Sequence, residues 1–134
     1  MTLLDRLAKY PVKTIVVDGQ VHAYREAGQG QPLILLHGIS SGSALWINQL
    51  DVLNQSFRVI AWDAPGYGLS EGLNTAQPNA EDYAQRLLGL IDALAISQAI
   101  LVGHSLGALQ ASAFAHLYPE RVQTLLIANV AQGY

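Results

Sequence analysis

The 134-residue chain has no cysteine. That excludes disulfides, thiolate metal sites and a cysteine nucleophile, though it leaves the redox compartment open. Positive charge is also scarce, with seven Lys and Arg against ten Asp and Glu and a formal net charge of −3 at pH 7. Without a basic stripe there is no electrostatic footprint for nucleic acid, and without an acidic block there is no solvating tail, so the expected partners are small molecules of little charge. Nowhere do ~18 apolar residues run together, and the opening stretch MTLLDRLAKYPVKTIVVDG lacks the apolar core of a signal peptide. The expectation is a soluble, cytoplasmic protein with no membrane contact. The four histidines show no H-x-x-x-H spacing, so neither a metal nor another cofactor is expected.

Apolar residues, in contrast, are plentiful at 51%, with only 13% charged, enough for the core of a single domain spanning 1–134. Short β-branched runs alternate with helical patterns, the rhythm of βαβ units. Val12 to Val17 and Val21 to Glu26 read as a hairpin turned at Asp18-Gly19. Leu33 to Leu36 is a strand apolar on both faces. A helix is expected over Ala44 to Leu53 with Ser43 as its cap, then the strand FRVIAWD, a polar loop over 70–78, and a helix from the cap Asn79 through Ala95 with Asp82 in capping-box position. Ala99 to Val102, a helix from Leu106 to Tyr118 stopped by Pro119, and a last strand Val122 to Val130 complete the series. The fold class is therefore α/β, a three-layer sandwich on a mostly parallel sheet of about six strands with an N-terminal antiparallel hairpin.

Within LVGHSLG, Ser105 falls where a buried strand turns directly into a helix, at the carboxyl end of a parallel sheet where open α/β folds place ligands. A serine on so sharp a turn needs small neighbours, and Gly103 and Gly107 lie two residues before and two after it. The helix start also aims amide donors at an anion. A helix-capping serine between incidental glycines is the plainer alternative. A second stretch, His37-Gly38-Ile39-Ser40, ends another buried strand with a glycine that lets the following amides face a pocket. The N–H groups of Ile39 and Leu106 are then paired candidates for an oxyanion hole. DAPGYGLS is not a dinucleotide fingerprint, because Glu71 stands where the third glycine belongs. Its Asp63 reads as a turn and loop-capping residue.

HGIS, DAPGYGLS, GHSLGA and YPERV, in this order and spacing, resemble the α/β-hydrolase superfamily, in particular its esterase, lactonase and carbon–carbon-bond hydrolase branches. The resemblance covers the whole chain but only the first half of that fold. It implies Ser105 as nucleophile, Ile39 and Leu106 as oxyanion donors, and His37, Gly38, Gly103, His104 and Gly107 as the supporting motif. Serine in place of aspartate at 105 speaks against the dehalogenase and epoxide hydrolase branches. The family's triad runs Ser, then Asp or Glu, then His, from strands beyond those found here. Here only Glu120 is acidic after Ser105. None of the histidines is well placed as a base: His22 is in the hairpin, His116 about 15 Å down the helix, His104 on the opposite side of its strand from Ser105, and His37 a structural residue of its loop by resemblance.

Two main readings follow. One is a serine hydrolase of small carboxylic esters or lactones; the other is a non-catalytic truncated or engineered half-domain, with a ligand-binding pseudohydrolase beside it. The last strand, Val122 to Val130, is apolar enough for burial on both faces yet has nothing after it, which leads to the expectation of a homodimer paired through that edge.

Overall fold

Those alternating patterns become, in the computed structural model, which describes residues 2–73 and 75–128, six strands and four helices. The strands are β1 (Lys13–Val17), β2 (Gln20–Ala27), β3 (Gln31–Leu36), β4 (Phe57–Asp63), β5 (Ala99–His104) and β6 (Val122–Ala128), and the helices α1 (Leu3–Leu7), α2 (Ile47–Leu53), α3 (Ala80–Ala93) and α4 (Leu106–Leu117). They form one sheet in the order β1-β2-β4-β3-β5-β6. β1 and β2 pair antiparallel, β2 joins β4 antiparallel, and the β4-β3-β5-β6 block is parallel throughout. Among the described residues no helix is long and apolar enough to cross a membrane.

Strand pleating sorts the core into two layers. Ile34, Leu36, Ile60 and Trp62 face α3 and α4, meeting Leu87, Leu90, Ile91 and Phe114. Leu33, Leu35, Val59 and Ala61 face the other way, onto Trp46 and Leu50. The continuously apolar reading of β3 thus has its cause in helices on both sides.

Local chemistry sets the element ends. Asn79 Oδ1 accepts from Asp82 N at 3.0 Å and Asp82 Oδ2 from Asn79 N at 2.8 Å, a full capping box. The helix stops two residues before the expected Ala95, which takes a left-handed φ of 59°. Strand β5 runs two residues past the expected Val102, carrying His104 to its tip.

Two expectations need correction. Ser43 does not cap an α-helix: it opens a 3-10 turn over Ser43–Trp46 with no side-chain cap, and its hydroxyl is directed to the buried Asp63. Strand β6 is not buried on both faces, since Leu126 is 52% and Ile127 41% exposed at the sheet's edge. Its expected last residues, Asn129 and Val130, lie outside the described residues. Helix α1 went unpredicted because it is only five residues long, although Thr2 and Asp5 form a reciprocal cap. Arg6 ties it to Asp51 of α2 at 2.9 Å.

Candidate active site

Ser105 is the single residue between β5 and α4. Its backbone sits at φ 57°, ψ −116°, a conformation that costs a non-glycine residue about 1–3 kcal/mol and persists only where its surroundings enforce it. Enforcement is visible on three sides. A Cβ on Gly103 would lie 2.5 Å from Gly107 O and 2.7 Å from Ala108 Cα, so β5 and α4 meet at contact distance only because residue 103 has no side chain. Gly107 is pressed against the main chain of Leu36 and His37, and its Cβ would collide there. Ser105 N donates to Ala128 O at 3.1 Å, and Ser105 O accepts from Ala108 N at 2.9 Å.

The loop after β3 comes to the same point. A Cβ on Gly38 would lie 3.1 Å from Ser105 Cβ and 3.3 Å from His104 Nδ1, so the loop passes the turn at a distance tight for any side chain. Ile39 is the next residue, and Leu106 is the first of α4, where helix amides have no intrahelical acceptor.

His37 holds this loop. It is 2% exposed, Ala64 N donates to its Nε2 at 3.0 Å, and its Nδ1 bonds Gly38 O at 2.8 Å. Because Nε2 accepts, Nδ1 carries the hydrogen, and the imidazole is neutral. Burial pushes its pKa down, against a smaller opposing pull from the Gly38 hydrogen bond and Asp63. Gly38 C=O and Ile39 N–H belong to one planar trans peptide unit, so fixing the carbonyl fixes the direction of the amide. His37 therefore aims Ile39 N–H, and with both nitrogens bonded to backbone it is poorly suited to be a base.

Two further residues support the loop, of which pattern reading missed Tyr67. Tyr67 Oη accepts from Ser40 N at 3.2 Å, and its ring meets His37 edge-on at 4.9 Å. Asp63 accepts from Ser43 N at 2.7 Å and Ser43 Oγ at 3.0 Å, while Ser70 Oγ donates to Asp63 O at 2.6 Å. DAPGYGLS is thus a clamp on the HGIS loop. The capping reading of Asp63 was available from its turn context; the Tyr67 contact, 27 residues distant, had no local signal.

The other histidines are dispersed. His104 lies on the α2 face, beside Trp46 at a ring distance of 6.4 Å, in a groove with Ile100 and Val102. His116 is exposed near the C-terminal end of α4. His22 is buried on β2, three strands from β5. Among the described residues no group of three or more His, Asp or Glu could hold a metal ion.

Comparison with known proteins gives a consistent picture. Residues 31–130 match the family model described as the alpha/beta hydrolase fold. A 2-hydroxy-6-oxononadienedioate/2-hydroxy-6-oxononatrienedioate hydrolase of Burkholderia vietnamiensis is 39% identical over 127 residues, 89% of this chain and 44% of that protein. A 2-(acetamidomethylene)succinate hydrolase of Mesorhizobium japonicum is 42% identical over 102 residues, 76% of this chain and 36% of the relative. The chain thus spans less than half the length of these relatives. Among solved structures, the epoxide hydrolase CorEH superposes with a TM-score of 0.84 at 30% identity, covering 90% of this chain and 42% of the other. A bacterial membrane phospholipase A superposes at 0.87 with 28% identity, covering 96% and 42%. The chain belongs to the α/β-hydrolase fold family.

Proposed function

We propose that Ser105 is the nucleophile of a serine hydrolase of small carboxylic esters or lactones, with the amides of Ile39 and Leu106 as its oxyanion hole. The observation that carries this reading is the enforced positive φ of Ser105 at a strand-to-helix turn, with Gly38 against its Cβ. Strain of this kind, held by three close contacts, has no use in a helix cap. The relatives' names support the chemistry at a coarser level, since they are hydrolases of carbonyl-containing acids.

In the proposed step Ser105 Oγ adds to the substrate carbonyl carbon, its proton passes to a base, and the oxygen turned anionic is held by the two amides. Collapse expels the alcohol, which takes up the proton, and leaves an acyl-serine that water hydrolyses. His37 is committed to backbone, His104 lies on the α2 face beside Trp46, and His22 and His116 are remote from Ser105. The base and its acid are therefore assigned to the part of the family fold that this chain does not span. Ester turnover by the 134 residues alone should then fall orders of magnitude below that of an intact triad, because an oxyanion hole and binding alone retain roughly a thousand- to ten-thousandfold over water. That same accounting favours the second reading, a non-catalytic half-domain or ligand-binding pseudohydrolase. A fluorophosphonate probe separates the two. Slow labelling that exceeds the heat-denatured chain and disappears in Ser105→Ala supports the nucleophile; labelling equal to the denatured chain supports the second reading.

The chain's own edge suggests a partner. Strand β6 pairs only with β5 among the described residues and exposes Leu126 and Ile127, so we propose a homodimer in which two β6 edges pair antiparallel about a two-fold axis. Sedimentation at tens of micromolar should show a dimer that proline at Leu126 abolishes while the monomer stays folded. A monomer throughout, or a dimer indifferent to that proline, would overturn the pairing. A cytoplasmic location belongs to the same proposal.

A further inference from the structure

Away from Ser105, a cavity of about 440 Å³ opens between the β1–β2 turn and the first turns of α3, lined by Gln20, His22, Asp82, Gln85 and Arg86 among others. From β2 to β5 are three strand spacings, roughly 14 Å, so this site is separate and rests on none of the nucleophile reading.

Its polar groups are unusually unmatched. His22 is 1% exposed, and among the described residues neither its Nε2 nor the buried Gln20 Oε1 has a hydrogen-bond partner. Buried polar groups left unmet carry a desolvation cost. Arg6, Arg58 and Arg121 each hold a carboxylate at 2.9, 2.7 and 2.6 Å. Arg86 instead donates to main-chain oxygens, Glu71 O at 3.2 Å and Gly72 O at 3.3 Å. Asp82 stands four residues before it on α3, where opposite charges normally close on each other, yet Asp82 Oδ2 turns back to Asn79 N at 2.8 Å. The result is an Asp82–Arg86 pair left unclosed on α3, beside a cavity of mixed lining that a buried imidazole shares with Val17 and Leu73. Burial, with the Arg86 charge adding to it, pushes that imidazole down to about 4, so it is neutral near pH 7.

The charges select the occupant. A simple anion would face Asp18 and Asp82, and a simple cation would face Arg86, whereas a zwitterion opposes neither. We propose that this cavity binds a small α-amino acid, its carboxylate on the Arg86 guanidinium and its ammonium on the Asp82 carboxylate, with His22 and Gln20 lining the cavity beside it.

The test follows the His22 imidazole in ¹H–¹⁵N spectra of the whole chain at pH 7 and constant ionic strength. L-Alanine is titrated against lactate, which lacks the ammonium, and ethanolamine, which lacks the carboxylate. The expected result is a saturable shift with L-alanine in the millimolar range and binding at least about tenfold weaker for the other two. Arg86→Gln and Asp82→Asn should each weaken L-alanine about tenfold or more. Asp82→Asn retains an acceptor for Asn79 N, so it carries the test if Arg86→Gln fails to fold. No saturable shift, equal binding of lactate or ethanolamine, or binding indifferent to Asp82→Asn would overturn the proposal and leave the cavity to water.

Discussion

On the face covered by α3 and α4, Leu87, Leu90, Ile91 and Phe114 are all fully withdrawn from solvent. On the opposite face α2 reaches only part of the sheet, and an apolar groove of about 540 Å³ remains between Trp46, Ile100, Val102 and Leu126. Both faces carry the same kind of side chain, so composition alone does not tell them apart. What differs is how much of each face the described helices cover. An apolar strand states that it is to be covered, and leaves open by what.

The sharpest way to break this comparison is to remove mass from the closed face. Phe114→Ala should cost about 3–5 kcal/mol, because a fully buried aromatic leaves a cavity that a packed layer cannot fill; urea unfolding would measure it. Acid probes the same face more gently. His22 lies on it, and in the unfolded chain its imidazole protonates near 6.5, whereas in the fold it stays neutral to about 4. The folded state therefore binds fewer protons in that interval, and stability is complete above about 6.5 and declines as pH falls toward 4, by at most about 3 kcal/mol. His37, lowered in the same direction, adds to the decline. Replacing His22 with Gln should flatten most of the slope, and a slope that does not change would remove His22 from the account. The smallest effect belongs to the open face. Leu126→Ala, measured where the chain is monomeric, should stay within about 0.5 kcal/mol. A loss there approaching that at Phe114 would mean that the groove is covered in solution.

Legibility in the sequence tracked the range of the interaction. Elements built on local periodicity or local caps, such as the hairpin at Asp18-Gly19 and the Asn79–Asp82 box, appear where the pattern places them. The strand-to-helix turn at Ser105 was likewise readable, because two glycines at fixed offsets report a close approach that no larger residue permits. Ser43 was misread because its context is that of a cap; its true partner, Asp63, is twenty positions away at the end of β4. Tyr67 and its bond to Ser40 were invisible for the same reason. The exposure of β6 could not be read from its residues, since burial depends on neighbours and not on the strand's own hydrophobicity.

One bond described at the turn links the two halves of this comparison in time as well as space. Ser105 N–H is donated outward, to Ala128 O on the outermost strand. Sheet edges open more readily than their centres, so the Ser105 amide inherits the hydrogen-exchange lifetime of β6 rather than that of the central β5. Whatever pairs with that edge lengthens the lifetime of the Ser105 tether, without touching the serine.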